Sequence, residues 1–360
     1  MKRILPVFLV VCLLLCGCAK DAEPTAPSTE VPTQASEPTA EPTAEPTTEP
    51  TTEPTTEPTE PPVLYRNPLN GSPMEEPYMG RLYTVTINDI PDALPFYGVQ
   101  NADIFFEMLV NDYATRGLAM FSDPAEAGYI GSIRSARYNF VDICEAYDAI
   151  LTYAGGSDSV ISKIYNCGID NLMHSDNYFY RDYDRMDQGW AWEHCLFIEG
   201  SEMVRMAEDW GYRTSVEEER DYGLRFTPGA VPDGEDAQMI HFRYWDNTRA
   251  MEYNPEKGVY EFWMYGDSVY DGVTYETVTF KNVVLMYMDV YNDWPYHVAD
   301  LDGSGEGYYA CNGKIVPIQW HHEDEYAPFT FTLMDGTPLE MDVGNHYFGF
   351  IPWEDEITWE

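Results

Sequence analysis

Gly131-Ser132-Ile133-Arg134-Ser135-Ala136-Arg137 sets two arginines three residues apart among small side chains. A guanidinium stays charged at neutral pH, and its planar fork matches carboxylates and phosphates. At i and i+3 of a helix start, two such forks would lie side by side, next to free backbone N–H groups that also favour anions. The expected product is an anion-binding cleft. Arg134, Ser135 and Arg137 would form it with Arg116 and Arg181, while Gly155 and Gly156 supply backbone N–H groups. The competing expectation is a buried ion-pair network in which Glu107, Asp142, Asp148 and Asp182 neutralise the same arginines. The two differ in whether positive charge is left over.

A catalytic alternative rests on fewer residues. His194 near Asp182, Glu193 or Glu107 would make an acid/base unit, and Ser157 after two glycines would be a nucleophile at a strand-to-helix turn. Gly155-Gly156-Ser157-Asp158-Ser159 lacks the last glycine of the G-x-S-x-G elbow. The glycine pair is therefore expected to serve close packing or the anion site. Cys195 adjoins His194 but, as a neighbour in sequence, is poorly placed to give it a proton. Trp190 and Trp192 precede the histidine and belong to a ligand surface or a loop core.

Asp300, Asp302 and Ser304 occupy the first ligand positions of a calcium-loop pattern. Its twelfth position is Cys311 where glutamate is needed, and strands are expected on either side. His321 and His322, beside Glu323, Asp324 and Glu325, would face opposite sides of a strand, which suits a solvated acidic loop. There is no haem, nucleotide or P-loop motif, and no cofactor is expected.

The elements that would position these groups alternate. Arg81–Asn88, Ala102–Val110 and Arg116–Phe121 have strand patterns, followed by a helix over 138–147, a strand over 149–153 and helices over 159–165 and 199–210. From residue 238 onward the pattern changes to strands and tight turns, with a hairpin at Asn254–Gly258 and further strands to Pro352. The many aromatics there are expected on sheet faces, with a carbohydrate platform as the functional alternative.

Upstream, Lys2 and Arg3 precede an apolar run ending in Leu15-Cys16-Gly17-Cys18, which resembles a bacterial lipobox. Residues 1–18 are thus expected to be a signal peptide and Cys18 the lipidated residue. Residues 19–62 repeat Glu-Pro-Thr and hold almost nothing apolar, the composition of a disordered stalk. At about 3.1 Å per residue it would reach roughly 130 Å. Ten of the 62 carboxylates and three of the 20 basic residues lie before residue 63, leaving the remainder at a net −35. Such a surface repels nucleic acid and anionic lipid and makes clustered arginines more informative. The four remaining cysteines, Cys144, Cys167, Cys195 and Cys311, fit no zinc spacing and are expected as free buried thiols.

Several separated blocks resemble the YerB-like family of bacterial lipoproteins. They are Gln100–Ile104 with Glu107 and Arg116, Ile130–Arg137, Ala154–Ser157, Phe179–Asp182 with Arg185, Glu193–Phe197, Gly305–Tyr309, Pro317–Trp320 and Gly344–Pro352. Cys195 departs from the asparagine or serine that the family pattern would place there. The resemblance implies an extracytoplasmic, lipid-anchored protein with a mixed α/β fold and a β-rich C-terminal part, and it assigns no chemistry. The expected architecture is an α/β lobe over residues 63–235 packed against a β-rich lobe over 236–360. The expected role is to bind an anionic ligand or partner at the cell envelope: a wall polymer, peptidoglycan or an envelope protein. A hydrolase or transferase using His194, and a purely structural interaction module, are the alternatives.

Overall fold

In β1 (Tyr83–Ile87), β2 (Ile104–Asn111) and β3 (Ala114–Phe121) nearly every residue is buried, as expected of strands covered on both faces. The structure, a computed structural model, describes residues 65–112, 114–293 and 295–360. The signal segment with Cys18 and the Glu-Pro-Thr stalk lie outside the described residues.

After β3 the chain forms β4 (Tyr129–Gly131), α1 (Tyr138–Ala146), β5 (Ile150–Tyr153), α2 (Asp158–Cys167), β6 (Asn171–Met173), β7 (Phe179–Arg181), β8 (Leu196–Glu199) and α3 (Gly200–Asp209). The later strands include β9 (Glu235–Asp236), β10 (Met239–Tyr244), β11 (Asn247–Asn254), β12 (Val259–Met264), β13 (Asn282–Met288), β14 (Gly303–Cys311), β15 (Lys314–His322) and β16 (His346–Pro352). The expected hairpin joins β11 to β12, with Asn254 opposite Val259 and Gly258 in the left-handed region at φ +67°.

The result is a mixed α/β, strand-rich fold built on one eleven-stranded sheet, ordered β9-β15-β14-β13-β16-β2-β3-β1-β5-β6, with Thr330–Leu333 paired to β15. The sheet draws strands from both sides of residue 235. Its junction is parallel: β16 lies between β13 and β2, with His346 opposite both Asn282 and Ile104. A second sheet holds β10, β11 and β12, and a third has the order β4-β8-β7.

Alternation along the strands divides the core between the two faces of the main sheet. Phe105, Ala119, Leu285 and Tyr347 pack with Phe242, Met251 and Phe262 of the second sheet. Their neighbours Phe106, Leu118, Val284 and Phe348 pack with Phe140, Val141 and Cys144 of α1. Burying a large apolar side chain on either face contributes about 1.5–3 kcal/mol. The four cysteines among the described residues are free; three are buried as expected, while Cys167, at the end of α2, is exposed.

Candidate functional site

The arginine segment is not a helix start. Residues 131–136 run as an extended strap across the end of β1. Gly131 exchanges backbone bonds with Tyr97 at 3.0 and 3.1 Å, Asn88 N donates to Ser132 O at 2.9 Å, and Arg134 N donates to Thr86 O at 3.1 Å. On its other side Ile133 N donates to Leu196 O, Ala154 N to Arg134 O and Ala136 N to Gly155 O. The small residues are explained by this two-sided lacing: a Cβ on Gly131 would come within 2.9 Å of the Leu196 carbonyl oxygen. Arg137, with φ −135° and ψ 164°, only precedes α1, so Arg134 and Arg137 do not share a helical face. What brings them near one another is the strap.

Arg116 arrives from β3. It lies on the α1 face of the sheet, because its neighbour Thr115 contacts Arg249 on the other face. It is 4 % exposed, and its Nε and Nη1 have no hydrogen-bond partner. Burial pushes its pKa down to about 9; Arg137 and Arg134 act in the same direction, and Asp89 opposes them. Arg116 remains charged at neutral pH. Burial also lowers the pKa of Arg134, opposed by Glu193, and that of Arg137. Arg137 lies 4.8 Å over the Tyr296 ring and donates from Nη1 to Ala136 O at 2.8 Å. The Nε atoms of Arg134 and Arg137 are buried and unpartnered.

None of these three arginines forms an ion pair among the described residues. Each of the four acids expected to neutralise them is engaged elsewhere. Glu107 takes Arg249, Asp142 takes Lys163, and Asp148 takes Arg81 and Arg213. Asp182 accepts from the Arg185 backbone N at 2.9 Å. The ion-pair network expected around the cluster is therefore absent from the described residues.

Arg181 meets Arg134 from the other side. Both line a surface cleft of about 250 Å³ together with Gly155, His174, Trp192 and Glu193. Arg181 lies 3.5 Å from the Trp192 ring centroid and donates to its carbonyl oxygen at 2.7 Å. Ser135 and Gly156 are not part of this lining; the Ser135 carbonyl oxygen instead receives Arg137 Nη1 at 3.4 Å.

The catalytic candidates are dispersed. His194 Nδ1 is 2.7 Å from Asn88 Nδ2, so its ring partner is an amide and not Asp182 or Glu107. Burial lowers its pKa, Glu193 opposes the shift, and Arg134 reinforces it. Ser157 is the N-cap of α2, accepting from Val160 N at 3.3 Å and pairing with Ser159 Oγ at 3.0 Å, which is the work of a helix cap. The calcium-loop pattern is laid out along a turn and a strand. Asp300 and Asp302 form a turn that runs straight into β14, so Ser304 and Cys311 lie along one strand and no ligand loop closes.

Asn88 and Asp89 escaped sequence reasoning. Both are buried; Asn88 Oδ1 and both Asp89 oxygens are without hydrogen-bond partners. The Asp89 carboxyl is pushed up to about 7 by burial and then by Glu107, against Arg249, Arg116 and the Thr115 hydroxyl. The one available signal was a polar pair directly after the alternating strand that ends in Ile87.

Two family models match the chain: "Protein of unknown function (DUF3048) N-terminal domain" over residues 69–213, and the DUF3048 C-terminal domain over residues 240–348. A Bacillus subtilis (strain 168) protein carrying the name "Putative lipoprotein YerB" is 26 % identical over 303 residues, covering 79 % of this chain and 86 % of the relative. The crystal structure of the YerB protein from Bacillus subtilis superposes with a TM-score of 0.70 at 21 % identity, covering 81 % of this chain and 99 % of that one. That likeness is one of fold.

Proposed function

Since this chain belongs to the YerB-like family with paired DUF3048 N- and C-terminal domains, we propose that it is a membrane-anchored extracytoplasmic lipoprotein that binds an anionic envelope ligand at Arg134. The lipobox pattern at Leu15–Cys18 and the relative's name support the anchor. The anchor would be lipid on Cys18, and the stalk would hold the folded part away from the bilayer. The same reading treats residues 63–235 and 236–360 as two sequence regions near the two matched ones, which share the main sheet instead of packing as separate lobes.

One observation carries the binding reading. Arg116 is almost wholly buried with two guanidinium nitrogens unpartnered, and the charges near it are one carboxyl, Asp89, and two further arginines, Arg134 and Arg137, so that cations outnumber acids. Buried cations ordinarily have partners, since removing a partner from a buried charge costs about 3–5 kcal/mol. This excess of positive charge, in a chain of net charge −42, is explained by an anion received at the cleft that Arg134 lines, with Arg116 and Arg137 behind it. Arg134 is the point of access, since it also lines the cleft that holds Arg181.

The test is co-sedimentation of the full-length protein in detergent with cell-wall sacculi, before and after their anionic polymers are stripped. The doubly substituted R134A/R137A protein, confirmed as folded by circular dichroism, is run beside it. Binding that needs both the polymers and the arginines supports the reading. Equal binding by the substituted protein, or none by either, makes the arginines architectural and points to a protein partner.

A further inference from the structure

The cleft at Arg134 holds more than cations, and the remainder describes the ligand. Trp192 is 59 % exposed, yet Arg181 pins its ring from 3.5 Å and its backbone from 2.7 Å. A pinned, exposed indole is an apolar plate that loses little freedom when something stacks on it. Glu193 lines the same cleft and makes no ion pair among the described residues. Its carboxylate accepts hydrogen bonds and repels anions. His174 and the two guanidiniums supply donors beside it.

Each feature rejects a class of ligand. A plain polyanion would meet Glu193 without using it. An acyl chain would leave two arginines and a glutamate desolvated without partners. A ligand with one anionic group, several hydroxyl groups and an apolar ring face satisfies all of them. The anion goes to Arg134 and Arg181, the hydroxyls donate to Glu193, and the C–H face lies against Trp192.

We infer that the cleft lined by Arg134, Arg181, Trp192 and Glu193 binds a single acidic sugar residue, the anion and the ring being recognised together. This rests on the anion-binding reading above and narrows it to saccharides. The acid is a carboxylate or a phosphate ester, and the probes below separate the two.

The experiment is isothermal titration of the full-length protein in detergent with inorganic phosphate, glucose 6-phosphate, acetate, glucuronic acid and glucose. Glucose 6-phosphate is expected to bind at least about tenfold more tightly than phosphate, or glucuronic acid than acetate, with glucose weaker than either sugar acid. In W192A and in E193Q that advantage is expected to fall to near onefold, and both proteins are checked by thermal unfolding. If phosphate or acetate binds the wild type and the matching sugar acid binds no better, the saccharide inference fails while anion binding stands. If neither anion binds, or R134A/R137A binds them unchanged, the underlying reading fails and the inference with it. An advantage that survives both W192A and E193Q overturns the assignment to this cleft.

Discussion

Arg249 holds Glu107 through Nε at 2.8 Å and Nη2 at 2.6 Å, and both side chains are fully buried. Tyr347 donates to the other carboxylate oxygen at 2.6 Å, and Arg249 also donates to the Thr115 hydroxyl. Glu107 and Arg116 belong to paired strands, but alternation turns them to opposite faces. Glu107 is thus held by an arginine 142 residues away and is turned from Arg116.

Breaking that pair tests how the fold separates structural from available charge. E107Q leaves Arg249 uncompensated in the core and is expected to cost about 3–5 kcal/mol in urea denaturation. The combined E107L/R249M protein should regain most of the loss, because no buried charge is left alone. A loss below about 1 kcal/mol in E107Q would show that the pair does not hold the sheets together.

Asp89 sets a stability change near neutral pH. Its carboxyl is raised from 3.8 to about 7, so the folded state holds its proton more tightly than the unfolded one. The stabilisation is fully present below about pH 4 and is lost as pH rises through about 7. D89N mimics the protonated group. It should come closest to the wild type in thermal unfolding at about pH 4 and exceed it by a widening margin as pH rises, by about 1 kcal/mol or more at pH 8. Equal pH profiles for the two proteins would place the titration elsewhere.

His346 acts in the opposite sense. Burial lowers its pKa from 6.5 to about 3, with the Leu69 backbone opposing. The stabilisation is present above about pH 6.5 and falls by about 1.4 kcal/mol per pH unit as the solution is acidified toward 3. The ring lies among Phe226 and Phe348, so H346F should be tolerated. Its unfolding temperature should fall less steeply between pH 6 and 4 than that of the wild type.

Ser157 separates a cap from a nucleophile. S157A should cost about 1 kcal/mol of stability through the lost cap of α2. A serine-reactive phosphonate should leave Ser157 unlabelled; labelling would restore the catalytic alternative.

Much of the fold was legible because period and punctuation agreed. The helix at 138–147, the strand at 149–153, the helix at 199–210 and the hairpin at Asn254 all stand within a residue or two of expectation. The strap at 131–136 was misjudged because small residues before a helix suit both a helical turn and an extended segment. Only the backbone bonds to Thr86, Asn88, Leu196 and Gly155 decide between them. The arginine cluster was legible as a set, since each arginine opposes the acidic composition. Its division into Arg134 and Arg181 at a cleft, with Arg116 and Arg137 behind, was not. That depends on strand parity and on which acids the far half of the chain occupies. For the same reason Asn88 and Asp89 offered only the weak signal of a polar pair after a strand.

The central claim is that an anion is received at the cleft lined by Arg134 and Arg181, and the buried, unpartnered Nε–H groups of Arg116, Arg134 and Arg137 report on the charge that arrives beside them. Full-length protein labelled with ¹⁵N at arginine would be titrated with inorganic phosphate, following the Nε–H resonances assigned by single lysine substitutions. The account predicts that these three resonances move together and saturate along one curve, while Arg249, locked on Glu107, stays still. Three unmoved resonances at saturating phosphate and at saturating glucuronic acid would contradict it.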